Sequence, residues 1–289
     1  MRIAITGGSG FIGRYIMATS AMHHNDVVVV SRNRNWLDSL DSRIQTIQFD
    51  LGNPGEDPYK TLGYPDLMLH LAWSGLPQYH SPHHVETELP AQYNFLESMV
   101  NAGLRNLMVT GTCFEYGMKS GLLSEAMDTE PANPYGIAKD TLRRKLETLK
   151  SSTPFNLTWT RLFYMYGEGQ GENSLYPLLK QAAQDGEKVF NMSGGEQLRD
   201  YLHVSEVARL LLLLGTNSED NGVVNVCSGK PVSIRTLVER WIEEEAMNIT
   251  MNLGHYPYPD YEPMAFWGNR IRLDQILNGK TSETEDESE

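Results

Sequence analysis

The chain has 289 residues, of which 40% are hydrophobic and 21% charged, and its formal net charge is −13. This is ordinary globular usage in a chain long enough for one large domain or for a larger and a smaller one, so a fibrous or wholly disordered chain is excluded. The acidic balance, without any Lys/Arg stripe, repels phosphate backbones and argues against nucleic acid as a partner.

The first predicted element is the short β-branched strand RIAIT, with no hydrophobic leader or cleavage site before it. It runs into TGGSGFIG, Thr6 to Gly13, and then into the helical pattern FIGRYIMATSAM. Gly7, Gly10 and Gly13 permit a tight turn and the close approach of a pyrophosphate to backbone N–H groups at the helix start, where Phe11 and Ile12 follow. The second strand, DVVVV, ends in Ser31, Arg32, Asn33 and Arg34. An unphosphorylated adenosine ribose calls for an Asp or Glu at this place. Ser31 carries no charge and Arg32, with Arg34 close by, suits a 2′-phosphate, so the expected cofactor is NADP(H), with NAD(H) as the alternative.

IQTIQFDL is the third strand, and Asp50 and Leu51 at its end are placed for the adenine edge, a turn-forming Asp being the competing reading. PDLMLHLA is the fourth, bringing Leu71 and Ala72 to the cofactor and Trp73 and Ser74 toward a substrate, with simple packing as the other reading of Trp73. The following HSPHH holds His80, His83 and His84, but no Cys or acidic cluster completes a zinc site, so no metal is expected and the segment reads as a loop over the nicotinamide pocket. ELPAQYNFLESMVNAG is helical and ends in Gly103, a good residue beyond a helix C-terminus. RNLMVTGT then forms a fifth strand ending in Thr112.

In NPYGIAKD, Asn133 and Pro134 fit the N-cap and first position of a helix. Tyr135 and Lys139 lie four residues apart, about 40° from eclipsed and roughly 6 Å apart along the axis, so their polar ends meet in one place. A phenol that exchanges a proton near neutrality needs its pKa lowered by about three units, roughly 4 kcal/mol, and a neighbouring ammonium is a device for that. Thr112, a hydroxyl at the carboxyl end of a parallel strand, is the third candidate, placed to polarise a carbonyl.

NLTWTRLF closes this run of strands, and strands alternating with helices predict a Rossmann-type, doubly wound parallel α/β sheet over residues 1–163. The leucine run Leu210–Leu214 is too short to span a bilayer and predicts a buried helix, around 203–215, packing on that sheet. Residues 164–278 are otherwise rich in glycine loops and Pro/Tyr segments and are expected to form a smaller C-terminal substrate domain. Residues 279–289 carry the acidic SETEDESE and are expected to be a disordered tail. Cys113 and Cys227 sit in apolar contexts as reduced buried thiols, which points to the cytoplasm.

Taken together, TGGSGFIG, FDL, HLAW, GTCFEYG, PYGIAK, RLFYMYGEGQ and RDYLHV resemble the extended branch of the short-chain dehydrogenase/reductase superfamily, the nucleotide-sugar epimerases, dehydratases and reductases, over nearly the whole chain. The resemblance implies a triad of Thr112, Tyr135 and Lys139, a nucleotide-diphosphate sugar as ligand, and Arg199 on its diphosphate. In PDYEPMAFWGN, Tyr261, Glu262 and Trp267 read either as shaping the nucleotide or sugar pocket or as a structural C-terminal lid. The resemblance also implies a homodimer built through a helical bundle, for which ELPAQYNFLESMV and DTLRRKLETLK are the candidates, core packing being the other reading of both patterns. The family's 4,6-dehydratases follow the catalytic Thr with Asp-Glu, where this chain has Cys113 and Phe114; Glu115 comes one position late and, in an extended stretch, would point to the other face. The family's 4-epimerases usually show an acid after the second strand, which is missing here. The expectation is therefore an NADPH-dependent reductase acting at C4 of a 4-keto-6-deoxyhexose, with a 4-epimerase and a non-catalytic NADP(H) sensor as rivals.

Overall fold

A computed structural model describes residues 1–19, 25–40, 44–258 and 262–285, with side chains described as far as residue 279. In chain order the strands begin with β1 (Arg2–Thr6), β2 (Asp26–Ser31), β3 (Gln45–Gln48), β4 (Leu67–His70), β5 (Asn106–Thr112), β6 (Gly121–Leu123) and β7 (Asn156–Leu162). They continue with β8 (Tyr164–Tyr166), β9 (Val189–Asn191), β10 (Leu198–His203), β11 (Gly222–Val226), β12 (Pro231–Ser233), β13 (Thr250–Asn252) and β14 (Phe266–Gly268). The helices are α1 (Phe11–Met17), α2 (Arg34–Leu37), α3 (Pro58–Thr61), α4 (Leu89–Ala102) and α5 (Pro134–Ser152). After them come α6 (Leu175–Gln184), α7 (Val204–Thr216), α8 (Ile234–Glu244) and α9 (Ile271–Glu285).

Seven strands pair in parallel in the order β11-β7-β5-β4-β1-β2-β3. Their apolar runs, such as Ile3–Ile5, Val27–Val30 and Leu67–Leu69, are buried on both faces, which is why they read as unbroken and not alternating. α1 and α7 cover one face and α4 and α5 the other. The strand order reverses between β1 and β4, so the connections part there and leave a crevice at the carboxyl ends. This is the doubly wound α/β fold.

α7 and β11 follow Phe163 in the chain yet return to the large sheet, so the later half of the chain is shared between two cores. The leucine run is buried in α7, and Gly215 lets that helix approach the sheet: a Cβ there would lie 2.5 Å from Leu69 Cδ2. A separate core of Tyr176, Leu179, Phe190, Leu237, Val238 and Trp241 joins α6 and α8 to the small sheets β12-β10-β8 and β13-β9. α9 carries its backbone helix through Gly279 to Glu285, into the acidic segment for which composition suggested a tail; residues 286–289 lie outside the described residues.

Candidate active site

Gly7 turns the chain out of β1 with φ +73°, and a Cβ there would stand 2.7 Å from Ala72 N, so only glycine lets the turn rest on Leu71 and Ala72 at the end of β4. Gly13 seats α1 on the same turn, its would-be Cβ only 2.3 Å from Gly7 O. Gly10 is the N-cap of α1 and supplies no side chain to its first N–H groups, at Phe11 and Ile12, and no acid stands in the first turn. These residues fit a dinucleotide pyrophosphate.

At the end of β2, Ser31 Oγ accepts the Asn33 N–H at 3.1 Å and lies 3.5 Å from Ser9 Oγ. Arg34 pairs with Asp38 along α2 at 2.9 Å, whereas the Arg32 guanidinium is exposed and has no partner among the described residues. Asp50 Oδ1 accepts the Gly52 N–H at 3.1 Å, which is the turn-forming reading, and Leu51 beside it is half-buried.

α5 begins as its Asn-Pro pair dictates, with Asn133 Oδ1 accepting the Gly136 N–H at 2.8 Å and Pro134 in the first turn. Tyr135 is 8% exposed and Lys139 1%. The Tyr135 N–H donates to Tyr79 O at 3.1 Å, and Lys139 Nζ donates to Thr110 O at 2.8 Å. Thr112 ends β5 with its hydroxyl in hydrogen-bonding reach of the Tyr135 phenol.

The electrostatics differ from the expectation of a phenol acidified by its ammonium neighbour. Burial first, then Tyr79 and Glu115, push the Tyr135 phenol well above its ordinary range, and Thr112 offsets only part of that. Burial also draws Lys139 down from 10.5 to about 7, against the pull of Glu115 and Glu88. Desolvation wins because neither group has a charged partner within ion-pair distance among the described residues. Tyr135 is thereby kept as a proton donor.

Lys139 carries a stability signature. Below about 7 both the folded and unfolded states hold its proton and the fold bears the cost of a buried ammonium; above the ordinary 10.5 neither state holds it and the cost vanishes. Lys139→Met is therefore expected to raise Tm at about pH 6 and to raise it progressively less as the pH climbs toward about 10.5. Thermal unfolding of both proteins at several pH values checks this, and a constant increment would contradict it.

Cys113–Tyr116 folds as a single 3-10 turn and is not extended, yet Glu115 still turns inward. Its Oε1 accepts from the Thr112 N–H at 3.0 Å and from Trp159 Nε1 at 2.9 Å, and its Oε2 from Arg161 Nε at 2.7 Å. The carboxylate is a structural tie behind Thr112. The Cys113 thiol is also buried, and burial pushes it well above its ordinary range, so neither group is placed to shuttle protons.

Trp73 packs against Tyr135, and Ser74 follows it in the chain. The Trp73 ring lies 4.0 Å from Lys139 Nζ and 6.0 Å, edge to face, from the Tyr135 ring. The Ser74 hydroxyl donates to Glu88 and accepts from His83, while its N–H also goes to Glu88. Burial pushes the Glu88 carboxyl up, but the hydrogen bonds from Ser74 and Gln92 outweigh it and hold the carboxyl below its usual range. HSPHH thus serves the loop, His83 through Ser74 and His84 through Trp73.

A cavity of about 710 Å³ lies on the side of the small sheets, with Tyr164, Phe190, Gln197, Arg199, Tyr201 and Glu262 in its wall. Tyr201 and Tyr135 both feel Tyr79 and Cys113, which puts this wall next to the start of α5. Arg199 is 3% exposed; its Nη2 pairs with Glu262 at 2.9 Å, its Nη1 donates to Leu198 O, and its guanidinium stacks on Phe266. Glu262 also accepts from the Tyr164 hydroxyl. Tyr261 lies outside the described residues.

A family model for the NAD dependent epimerase/dehydratase family matches residues 3–227. The chain belongs to the NAD-dependent epimerase/dehydratase family. The dTDP-6-deoxy-L-talose 4-dehydrogenase (NAD(+)) of Aggregatibacter actinomycetemcomitans is 32% identical over 270 residues, 93% of this chain and 99% of that protein. The CDP-abequose synthase of Yersinia pseudotuberculosis is 24% identical over 300 residues, 97% of this chain and 99% of that protein. Among solved structures, the UDP-N-acetylglucosamine 4-epimerase from Methanobrevibacter ruminantium M1, in complex with UDP-N-acetylmuramic acid, superposes with a TM-score of 0.83 at 25% identity, covering 95% of this chain and 91% of that one.

This epimerase/dehydratase family member is thus an NAD(P)-dependent enzyme of the extended short-chain dehydrogenase/reductase type, as its motifs implied. The family match takes in the glycine turn, α5 and the Arg199 segment but stops before Glu262, whose place in the cavity rests on geometry alone. Glu88 and His84 carried a faint signal in the sequence, polar residues where the chain enters an apolar helix, but their partners are visible only in the fold. Among the described residues no helix is long and apolar enough to cross a membrane.

Proposed function

We propose that this enzyme reduces the C4 keto group of a nucleotide-activated 4-keto-6-deoxyhexose, with NADPH as the preferred donor, in making a deoxysugar for surface polysaccharide. The observation that carries this reading is the buried Tyr135 phenol, which Thr112 reaches and which shares Trp73 with Lys139, just past the Leu71–Ala72 end on which the glycine turn rests. The names of the talose 4-dehydrogenase and of the 4-epimerase both place the chemistry at C4, which supports the choice of carbon.

Bound NADPH would supply a hydride; the chain supplies orientation and protons. Gly7, Gly10, Phe11, Ile12 and Gly13 hold the pyrophosphate, Ser31 and Arg32 the 2′-phosphate, Asp50 and Leu51 the adenine edge, and Leu71 and Ala72 the wall at β4. Tyr135 donates its proton to the oxygen at C4, Thr112 hydrogen-bonds the same oxygen, and Lys139 holds the nicotinamide ribose. Ser74 contacts the sugar, and Arg199 takes the diphosphate by exchanging Glu262 for it. The chain works as a homodimer through the outer faces of α4 and α5, which sedimentation at micromolar concentration tests.

Arg32→Glu is expected to raise the KM for NADPH by about ten- to a hundredfold, the worth of a charge-assisted bond, and to leave or improve that for NADH. Steady-state kinetics with the two donors decides it, and an unchanged ratio removes Arg32 from the 2′-phosphate. The similarity to the solved 4-epimerase favours a second reading, a 4-epimerase that retains NAD and needs no added reductant.

A further inference from the structure

Within the chain itself, Lys139 is seated by more than a hydrogen bond. An ammonium has three N–H donors. Here it is 1% exposed and donates to a single acceptor, Thr110 O, with no carboxylate in ion-pair contact among the described residues. What it does have is the face of Trp73, with the ring centroid 4.0 Å from Nζ, a cation–π contact that gains strength out of water.

The indole is itself held in place. Its Nε1–H donates to His84 Nδ1 at 3.1 Å, and the two rings stack with centroids 6.3 Å apart and planes 27° from parallel. An indole nitrogen can only donate, so His84 Nδ1 offers its lone pair and the imidazole proton sits on Nε2, which donates to Gln78 O at 2.9 Å. That tautomer is forced from both sides. Burial draws the His84 pKa below its ordinary value, which keeps the ring neutral and able to accept. The His84 ring also lies 5.3 Å from the Tyr135 ring, and the Gln78–Tyr79 segment that orients it takes the Tyr135 N–H.

We propose that Trp73 and His84 are positioning residues for Lys139: the indole face seats the ammonium beside Tyr135, and His84 fixes the indole in the orientation that does so. This rests on the reading of Tyr135 and Lys139 as the reacting pair, and it gives the large side chain after β4 a role other than touching the sugar. Without the anchor the indole can swing, water reaches the ammonium, and Lys139 is no longer fixed relative to the phenol.

Three variants test this, Trp73→Leu, His84→Phe and His84→Asn, the last carrying an amide oxygen able to accept the indole N–H. Trp73→Leu and His84→Phe are expected to lower kcat by about tenfold, with the nucleotide-sugar KM changed less than about twofold, and His84→Asn to recover most of the loss. Independently of turnover, acetic anhydride labelling of the unliganded protein, read by peptide mass, is expected to modify Lys139 faster in Trp73→Leu and His84→Phe than in the wild type and His84→Asn. Unchanged kcat and unchanged labelling, or a rise in KM alone, would overturn the proposal. Should Trp73→Leu not fold, His84→Phe and its labelling decide the matter. If Tyr135→Phe retains full activity, the functional reading fails; if Tyr135→Phe is inactive while these variants behave as wild type, only this inference fails.

Discussion

Tyr135→Phe is expected to lower kcat by about a thousandfold, within the range by which a positioned general acid contributes, and to leave NADPH affinity unchanged. The substitution removes one oxygen. The ring keeps its neighbours Trp73, Tyr79, His84 and Phe114, all with centroids between 5.3 and 6.3 Å, so neither α5 nor the glycine turn has reason to move. The lost proton cannot come from elsewhere, because Cys113 is buried with a raised pKa and Glu115 is turned inward onto Arg161. Thr112 can polarise an oxygen but remains weakly acidic. Steady-state kinetics together with NADPH titration checks this, and turnover within a few-fold of wild type would remove Tyr135 from the chemistry.

Glu115→Ala is expected to destabilise the fold by about 3–5 kcal/mol, since it leaves a buried guanidinium without its counter-charge. Glu115 and Arg161 are 0% and 2% exposed, and Arg161 Nη1 already lacks a partner, so the fold has little with which to compensate. Arg143, 3.9 Å from the carboxylate, is tied to Asp140 and Glu147. The same substitution leaves Trp159 Nε1 and the Thr112 N–H without their acceptor, so the strand end that carries Thr112 loosens. Replacing both partners, Glu115→Leu with Arg161→Met, is expected to recover most of the loss, because the cost lies in the unpaired charge. Urea denaturation of the three proteins measures it; a single-variant loss below about 1 kcal/mol would contradict the buried-pair account.

How much of this could be read from residues alone depends on how local the cause is. The strands of the large sheet were legible because Val27–Val30 and Leu67–Leu69 are buried on both faces and show it as unbroken apolar runs. The start of α5 was legible from Asn133 and Pro134, and the glycine turn from spacing, because cap and turn chemistry act over three or four residues. Asp50 was ambiguous, and its contact two residues away, with the Gly52 N–H, engages Oδ1 in the turn without deciding between the two readings. The pairing of Arg199 with Glu262 spans 63 residues and that of Glu115 with Arg161 spans 46, and no local pattern announces either. The raised phenol was missed for a related reason. A helical spacing shows which groups are neighbours, whereas desolvation depends on everything packed around them, here Trp73, Tyr79, His84 and Phe114. The leucine run announced α7 as a buried helix on the large sheet, whereas composition along the chain does not reveal that β11 rejoins that sheet after the chain has visited the second core.

The most direct test of the account is to incubate the purified enzyme with a nucleotide-activated 4-keto-6-deoxyhexose and NADPH deuterated at the transferred position, and to follow both nicotinamide absorbance and the sugar product by NMR. The account predicts one equivalent of NADPH oxidised per sugar, with the deuterium at C4. Keto-sugar and NADPH both left unchanged, with the corresponding 4-hydroxy nucleotide sugar inverted at C4 without added reductant by protein that carries its own NAD, would contradict it.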